Sequence, residues 1–270
     1  MKETTIAARG LVLLGCGKMG SAMLAGWLDR GLPATSVWVQ DPAPSDWVKA
    51  TGVHVNAGLP DAPAVVLIAV KPQMMGDALP AIAAFGGGDT VFLSVAAGTP
   101  LSAFEDAFGA DSPIVRAMPN TPAAVGRGIT AICANAAGQR ALDDAEMLLS
   151  AVGEVVRLDG EHQMDAVTGV SGSGPAYVFH LIETLAAAGV AQGLPETLAM
   201  QLAKATVAGA GYLAMEAAED PAQLRINVTS PNGTTQAALE VLMDENSGFP
   251  NLLPRAVKAA TDRSKELSRG

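Results

Sequence analysis

Residues 228–235 read VTSPNGTT and combine hydroxyl and amide side chains with one proline, one glycine and no charge. Such a run is typical of a surface turn. It is also suited to bind an anion, because a turn that leads into a helix exposes backbone amides without a partner inside the helix. These residues alone leave both interpretations open.

A second stretch that could do chemistry is GCGKMG, which holds Gly15, Gly17 and Gly20. The pattern GxGxxG is often only a tight turn. Here it stands between the apolar run LVLL (11–14) and a helical segment of small residues, which favours a dinucleotide site. In such a site the first glycine permits the turn, the second lets the backbone approach a pyrophosphate, and the third lets helix and strand pack closely.

Other candidate binding residues follow apolar runs, where ligands bind in open α/β sheets. Asp41 in VQDPAP would accept hydrogen bonds from both ribose hydroxyls and favour NAD over NADP, but an aspartate before proline is also an ordinary turn opener. The stretches AVKP (69–72) and SVAAG (94–98) hold small or polar residues. Lys71 either faces the crevice for a cofactor or is a solvated loop lysine.

Residues for common acid–base and metal chemistry are scarce. His54, His162 and His180 are the only histidines, and Cys16 and Cys133 are the only cysteines. Neither a Ser-His-Asp set, nor paired carboxylates, nor a metal cluster stands out. This favours a reaction such as hydride transfer to an already cationic carbon, in which the cofactor brings the chemistry and the protein positions it.

The elements that position these residues form two regions. Short apolar runs alternate with helical segments at 19–29 and 72–84, which predicts a doubly wound, Rossmann-like α/β domain over residues 1–160 with buried parallel strands. The predicted strands are residues 11–14, 36–40, 65–70, 91–96, 114–118, 128–132 and 155–158. Helical spacing predicts an all-α domain over residues 161–270, with helices at 175–192, 195–218 and 250–268.

Composition limits the classes of function. Of 270 residues, 49% are hydrophobic and 16% are charged, which excludes a disordered chain. The net charge of −10 argues against nucleic acid as a partner, because binding it needs a basic surface. The sequence predicts neither a transmembrane helix nor a signal peptide, and its two thiols lack disulfide or metal spacing, so we expect a cytoplasmic protein.

Five stretches together resemble one family. GCGKMG, AVKP, RAMPNTP (116–122), VTGVSGSGPAY (167–177) and VTSPNGTT stand in the order and spacing of the pyrroline-5-carboxylate reductases. The resemblance covers essentially the whole chain. One departure is Asn232, where the family usually has glycine. Both residues tolerate a left-handed conformation, so we expect the loop to survive.

The resemblance implies NAD(P)H-dependent reduction of 1-pyrroline-5-carboxylate to L-proline, the last step of proline biosynthesis. NADPH is the expected cofactor and NADH the alternative. It also implies that the helical domain forms a homodimer, often assembled into a decamer, with the substrate site at the dimer interface. The implied cofactor contacts are Leu14, Gly15, Cys16, Gly17, Lys18, Met19, Asp41, Asn56, Ala69, Val70, Lys71, Pro72, Val95, Ala96, Ala97 and Asn227. The implied substrate contacts are Glu161, Ser230, Gly233, Thr234 and Thr235.

Such a substrate would give the uncharged loop at 228–235 a role. A protonated imine accepts hydride at its carbon without a strong acid, and its carboxylate needs only neutral donors. We expect Pro231 to fix the backbone and Gly233 to supply permissive dihedral angles. The amides of Gly233, Thr234 and Thr235 would hold the carboxylate. The Thr235 hydroxyl would lie near the ring nitrogen as the catalytic residue.

Three rival functions remain to be weighed. A β-hydroxyacid dehydrogenase would need lysine and asparagine where this chain has Val178 and Ile182, which cannot transfer protons. A nucleotide-binding regulatory protein without activity would be expected to lose its substrate loops, whereas both are intact here. Reduction of a six-membered cyclic imine differs by about one methylene of pocket volume, which discriminates by roughly 1–3 kcal/mol, and the sequence leaves it open.

Overall fold

The computed structural model describes residues 3–268, which divide into two compact units. The first unit contains the described residues up to Gly172 together with those from Ala260 onward, and the second is Ser173–Ala259. The predicted domains, 1–160 and 161–270, have a different boundary. The difference arises because residues that follow position 160 bond to the first unit: Asp165 accepts a 2.7 Å hydrogen bond from Ser264, and Asn120 donates one of 3.4 Å to Ser171.

An eight-stranded sheet forms the centre of the first unit, in the spatial order β3-β2-β1-β4-β5-β6-β7-β8. The strands are β1 (Leu11–Leu14), β2 (Val37–Gln40), β3 (His54–Val55), β4 (Val65–Ile68), β5 (Val91–Ser94), β6 (Ile114–Met118), β7 (Gly128–Ala134) and β8 (Gly153–Arg157). All neighbours pair in parallel except β6 and β7. The predicted doubly wound sheet is therefore confirmed. The direction in which successive strands are added reverses between β1 and β4.

The central strands are apolar along their whole length because both faces of the sheet are covered. Strands β1, β4, β5 and β6 are buried at every residue. Leu13, Leu67 and Leu93 belong to the apolar cluster on one face, while Val66 and Phe92 belong to the cluster on the other. Fully burying one such side chain contributes about 1.5–3 kcal/mol, so these strands hold the carboxyl edge of the sheet in place.

The antiparallel pair β6 and β7 was not predicted. Only residues 119–127 separate the two strands, whereas a parallel neighbour needs a crossover of about a dozen residues or more. The return therefore has to be antiparallel. Strand β8 then follows β7 in parallel after the helix Leu142–Leu149. The two-residue strand β3 is too short to give a sequence pattern.

The helices of the first unit are α1 (Glu3–Arg9), α2 (Lys18–Asp29), α3 (Asp46–Ala50), α4 (Met75–Ala78), α5 (Leu101–Phe108), α6 (Leu142–Leu149) and α7 (Met164–Val167). The predicted helix at 72–84 is wrong as a single helix: Met75–Ala78 is α-helical, and Pro72–Met74 and Leu79–Phe85 are 3-10 helices. Pro72 and Pro80 each lack an amide hydrogen and lie in the first turn of a 3-10 segment, where that hydrogen is not needed.

The second unit is helical, as predicted. Its helices are α8 (Gly174–Ala191), α9 (Glu196–Glu216), α10 (Pro221–Asn227), α11 (Thr234–Leu242) and the first part of α12 (Phe249–Leu267). Small residues let α8 and α9 approach closely: a Cβ at Gly189 would meet the Ala199 Cβ at 3.2 Å. The same unit exposes many large apolar side chains, among them Phe179, Leu185, Leu198, Leu202, Tyr212, Leu213, Met215, Val241, Leu252 and Leu253.

Among residues 3–268, no helix combines the length and the apolarity that crossing a bilayer requires.

Candidate active site

The glycine-rich turn after β1 has the geometry of a dinucleotide cradle. Gly15 has φ +87°, and a Cβ there would meet the Ala69 carbonyl oxygen at 2.9 Å, so the turn and the neighbouring strand end require glycine. A Cβ at Gly20 would meet the Gly15 carbonyl oxygen at 2.5 Å, which is close helix–strand packing. Around a Cβ at Gly17, by contrast, no described residue other than its chain neighbours lies within 4 Å. The turn role expected of Gly15 and the packing role expected of Gly20 are confirmed, and the open space at Gly17 suits the approach of a pyrophosphate expected there.

The amino terminus of α2 lies at that open space. Gly17 is the N-cap residue, and no side chain caps the helix there. The first amides of a helix have no partner within the helix and carry partial positive charge. The residues present therefore fit a pyrophosphate, and they would hold it through the backbone near Gly17, Lys18 and Met19.

Asp41 and Asn56 form one hydrogen-bonded group at the end of β2. The Asp41 carboxylate accepts from the amide of Cys16 at 2.6 Å and from the amide of Ala43 at 2.7 Å. The Asn56 side chain, on a residue with φ +50°, bonds to the Asp41 amide at 3.0 Å and carbonyl at 2.8 Å. Asp41 is thus both a turn residue and a negative charge beside the glycine-rich turn, so the two interpretations of the sequence are compatible.

The ends of β1, β4 and β5 meet at the same edge of the sheet. The Ala69 amide donates to the Leu14 carbonyl at 2.8 Å, and the Val95 amide donates to the Ile68 carbonyl at 3.0 Å. The structure thereby brings the predicted cofactor residues 14–19, 69–72 and 95–97 together at the point where the strand order reverses. Lys71 is exposed there. Asn227, the remaining predicted cofactor contact, belongs to the second unit.

A partly buried ion pair near this edge was not predicted. Arg116, in the middle of β6, has a side chain that is 5% exposed and donates to the Glu161 carboxylate at 2.6 Å. The same carboxylate oxygen, Oε1, accepts from the amide of Leu101, the first residue of α5, at 2.8 Å. Glu161 was predicted as a substrate contact, and the structure gives it these two protein partners. A lone arginine in the otherwise apolar run IVRAM was the available signal, because a buried charge needs a partner.

Two of the motifs that carry the family resemblance meet in the first unit. Asn120 of RAMPNTP donates to the Ser171 hydroxyl of SGSGPAY at 3.4 Å and accepts from the Ile129 amide at 3.0 Å. Ser171 lies in a π-helical turn, Thr168–Gly172. A Cβ at Gly172 would meet the Met118 methyl group at 2.6 Å, so a larger residue there would displace the flexible end of that side chain.

The loop at 228–235 leads into α11, which begins at Thr234 as predicted. Asn232 has φ +57°, which confirms that it takes the left-handed conformation in place of a glycine. The prediction that Gly233 supplies permissive dihedral angles is wrong, because Gly233 has φ −88° and ψ 171°. Its lack of a side chain matters instead, since a Cβ would meet the Ser230 carbonyl oxygen at 3.0 Å.

The donors of this loop also differ from the prediction. The Gly233 amide donates to the Ser230 carbonyl at 3.0 Å, so it closes the turn and does not serve as a free donor. The Asn232 amide donates to the side chain of Gln236 at 2.8 Å. Gly233 is the N-cap of α11 without a side-chain cap, and the helix therefore presents the amides of Thr234, Thr235 and Gln236.

Both cysteines are buried free thiols that stay protonated at neutral pH. Burial raises the pKa of the Cys16 thiol. Burial also raises the pKa of Cys133 from 9.0 to about 11, and the nearby Glu161 carboxylate adds to the shift while Arg116 opposes it. A protonated, buried thiol is a poor nucleophile, so the chemistry of the site does not depend on thiolates.

Comparison with known proteins identifies the family. A family model described as pyrroline-5-carboxylate reductase dimerisation matches residues 161–267, and one described as NADP oxidoreductase, coenzyme F420-dependent, matches residues 10–98. A pyrroline-5-carboxylate reductase from Synechocystis sp. is 43% identical over 267 residues, which are 96% of this chain and 98% of that protein. The chain belongs to the pyrroline-5-carboxylate reductase family.

Solved structures of reductases share the fold over nearly the whole chain. A pyrroline-5-carboxylate reductase from Coxiella burnetii superposes with a TM-score of 0.90 at 33% identity and covers 97% of this chain and 99% of its own. A pyrroline carboxylate reductase from Plasmodium falciparum, solved with NADP bound, gives 0.83 at 28% identity and covers 96% and 98%. The predicted family and fold class, a Rossmann-like domain followed by a helical dimerisation region, are confirmed.

Dimerisation, as in this reductase family, would explain the exposed apolar surface of the second unit. Large apolar side chains on α8 and α9 are exposed in the single chain, and soluble monomers rarely expose extended apolar surface. Residues 161–267 match the dimerisation model, so a second copy of the chain is the expected cover.

Proposed function

We propose that this chain reduces 1-pyrroline-5-carboxylate to L-proline with a reduced nicotinamide dinucleotide, an oxidoreductase reaction at a C=N bond in proline biosynthesis. The observation that carries this conclusion is similarity to pyrroline-5-carboxylate reductases along nearly the whole chain, including both the nucleotide-binding and the dimerisation region. The glycine-rich turn supports it independently, because its open Gly17 and the uncapped amino terminus of α2 suit a pyrophosphate.

The reaction asks for positioning more than for acid–base catalysis. When bound, the reduced nicotinamide supplies a hydride to the imine carbon. The protonated imine is already cationic, so the chain does not need a strong acid. Its residues instead fix the dinucleotide through the turn at 14–19 and the strand ends at 69–72 and 95–97.

The substrate carboxylate is held by the start of α11. The amides of Thr234, Thr235 and Gln236 point out of the first helical turn, and the helix dipole favours an anion there. The Thr235 hydroxyl is one more donor and acceptor, which we assign to the ring nitrogen as the catalytic residue. An uncharged loop suits a zwitterionic substrate, because a cation here would oppose the iminium that has to accept hydride.

NADP is the proposed cofactor, with NADH as the alternative. The reductase from Plasmodium falciparum was solved with NADP bound, and residues 10–98 match a model described as an NADP oxidoreductase. Asp41 works against a 2′-phosphate, because its carboxylate lies at the end of β2, where the ribose would bind, beside the turn that would hold the pyrophosphate. We therefore expect NADPH to be used with only a modest preference.

We also propose a homodimer that is the smallest active species and assembles further into a decamer. The apolar faces of α8 and α9 and the match to a dimerisation model support the dimer. On this view residues 161–270 act as one substrate and dimerisation domain. Light scattering that found a fully active monomer would contradict it. The two free thiols, Cys16 and Cys133, suit a cytoplasmic location.

A steady-state assay tests the proposed function. Purified protein is given the five-membered or the six-membered cyclic imino acid, each with NADPH and with NADH, and oxidation of the cofactor is followed. We expect the five-membered imine with NADPH to give the highest kcat/KM, and proline to accumulate in step with cofactor oxidation. Cofactor binding without reduction of either imine would contradict the proposal.

A further inference from the structure

Glu161 uses its two carboxylate oxygens unequally. Oε1 accepts both hydrogen bonds, from the Arg116 guanidinium at 2.6 Å and from the Leu101 amide at 2.8 Å. Within the part of the chain that the structure describes, Oε2 receives no hydrogen bond. The side chain of Glu161 is 32% exposed, so Oε2 remains accessible.

The central sheet fixes the position of Arg116. It lies in β6, between Ser94 of β5 and Cys133 of β7 in the strand register, and its side chain is 5% exposed. A guanidinium in such surroundings requires a partner, and Glu161 is the carboxylate it contacts. The orientation of Glu161 is therefore set by a buried side chain of the central sheet.

The second partner links Glu161 to the proposed cofactor region. Leu101 opens α5 and follows the loop that contains residues 95–97. The carboxylate thus sits at the amino terminus of a helix, where an anion is favourable. The direction of Oε2 is set by the two hydrogen bonds that Oε1 accepts, from Arg116 and from this amide.

We propose that Arg116 is a positioning residue, which fixes Oε1 of Glu161 so that Oε2 accepts a hydrogen bond from an N–H donor of a bound ligand. This rests on the proposed function, in which Glu161 contacts the substrate. A carboxylate oxygen accepts but does not donate, so the ligand group is a donor. Two sources share this chemistry: the iminium N–H of the substrate and the carboxamide of the nicotinamide.

Three variants separate positioning from a purely structural role. Arg116→Lys keeps a positive charge but loses the planar fork that defines the direction of Glu161. Glu161→Gln replaces one carboxylate oxygen by an amide NH2 donor. The donor takes the place of Oε2 or, if the amide is reversed, the place of Oε1. The double variant Arg116→Met/Glu161→Gln removes both charges, so neither is left buried and unpaired. Arg157→Lys is the matched control, because Arg157 pairs with Asp143 and Glu146 on an exposed surface.

For each variant the thermal midpoint, the Kd of NADPH, and kcat and KM for the imine are measured on the dimeric enzyme. We expect Arg116→Lys to raise either the imine KM or the NADPH Kd about 10- to 100-fold, the loss of one hydrogen bond to a charged group. The double variant should have a thermal midpoint near that of wild type, while the imine KM or the NADPH Kd, whichever is raised in Arg116→Lys, stays raised. The Arg157→Lys control should match wild type.

The pattern of the constants identifies the donor. A raised imine KM with unchanged NADPH Kd assigns Oε2 to the substrate iminium, and a raised NADPH Kd assigns it to the nicotinamide carboxamide. If Arg116→Lys and the folded double variant both keep wild-type constants, the pair is only structural and the inference is overturned. If the wild-type protein reduces no imine at all, the proposed function fails, and the NADPH Kd still decides the role of Arg116.

Discussion

The carboxylate of Asp41 accepts a 2.6 Å hydrogen bond from the backbone amide of Cys16, across the space between the end of β2 and the glycine-rich turn. Its second oxygen accepts from the amide of Ala43, and Asn56 holds the Asp41 backbone from both sides. Asp41 therefore shapes the turn that receives the dinucleotide and also places a negative charge there.

Cofactor preference should respond to that charge. At about 4 Å in water, two unit charges interact by about 1 kcal/mol, so removing the charge should raise the NADPH/NADH ratio of kcat/KM about 5-fold. Asp41→Ser is the test. Asp41→Asn is the matched variant, which also removes the charge but keeps an acceptor for one of the two amides. An unchanged ratio in both variants would mean that Asp41 acts only as a turn residue.

Thr235 should matter for the imine and little for the cofactor. Losing one hydrogen bond to a charged group costs roughly 1.5–3 kcal/mol, so Thr235→Ala should lower kcat/KM for the imine about 10- to 100-fold. The Kd of NADPH and the thermal midpoint should stay near wild type. Thr235→Ser, which keeps the hydroxyl, should retain most of the activity. Full activity in Thr235→Ala would show that the loop at 228–235 is only a surface turn.

The left-handed conformation of Asn232 predicts a graded response to substitution. Asn232→Gly should keep both fold and activity, because glycine adopts φ +57° freely. Asn232→Val should destabilise the loop by about 1–3 kcal/mol and lower imine turnover, because a β-branched residue is strained there. Denaturation curves and kcat/KM measure the two effects. Equal behaviour of the two variants would show that the backbone of this loop is not constrained.

Stability at alkaline pH should reflect the buried thiol of Cys133. Its folded pKa of about 11 lies above the ordinary 9.0, so the folded state keeps a proton that the unfolded state loses. The contribution of this thiol to the free energy of unfolding is fully present below pH 9 and is lost as the pH rises from about 9 to about 11. Cys133→Ser should therefore show a smaller fall in unfolding free energy over that window than wild type. Parallel curves for the two proteins would contradict the shift.

The parts of the fold that the sequence could predict depend on local signals. Apolar runs such as LVLL and VVLI mark strands because both faces of the central sheet are buried, and the start of α11 was visible in the turn chemistry before Thr234. The direction of β7 depends on which strand it pairs with, and the break at 72–84 depends on how its two prolines are accommodated.

The parts of the site that escaped prediction are non-local or internal to a turn. Arg116 and Glu161 are 45 positions apart, and no periodicity connects an arginine in a strand with a glutamate after the sheet. Within the loop, composition could not distinguish whether Asn232 or Gly233 takes the left-handed conformation, nor that Ser230 occupies the Gly233 amide. The glycine-rich turn was predictable because each glycine has a distinct steric reason.

The central claim is direct transfer of a hydride to the imine carbon of 1-pyrroline-5-carboxylate, and an isotope measurement tests it most directly. The protein is given that imine with a reduced nicotinamide cofactor carrying deuterium at the transferring position, in ordinary water, and the product is analysed by mass spectrometry and NMR. We expect L-proline with one deuterium on the former imine carbon. Proline without deuterium, or oxidised cofactor without proline, would contradict the account.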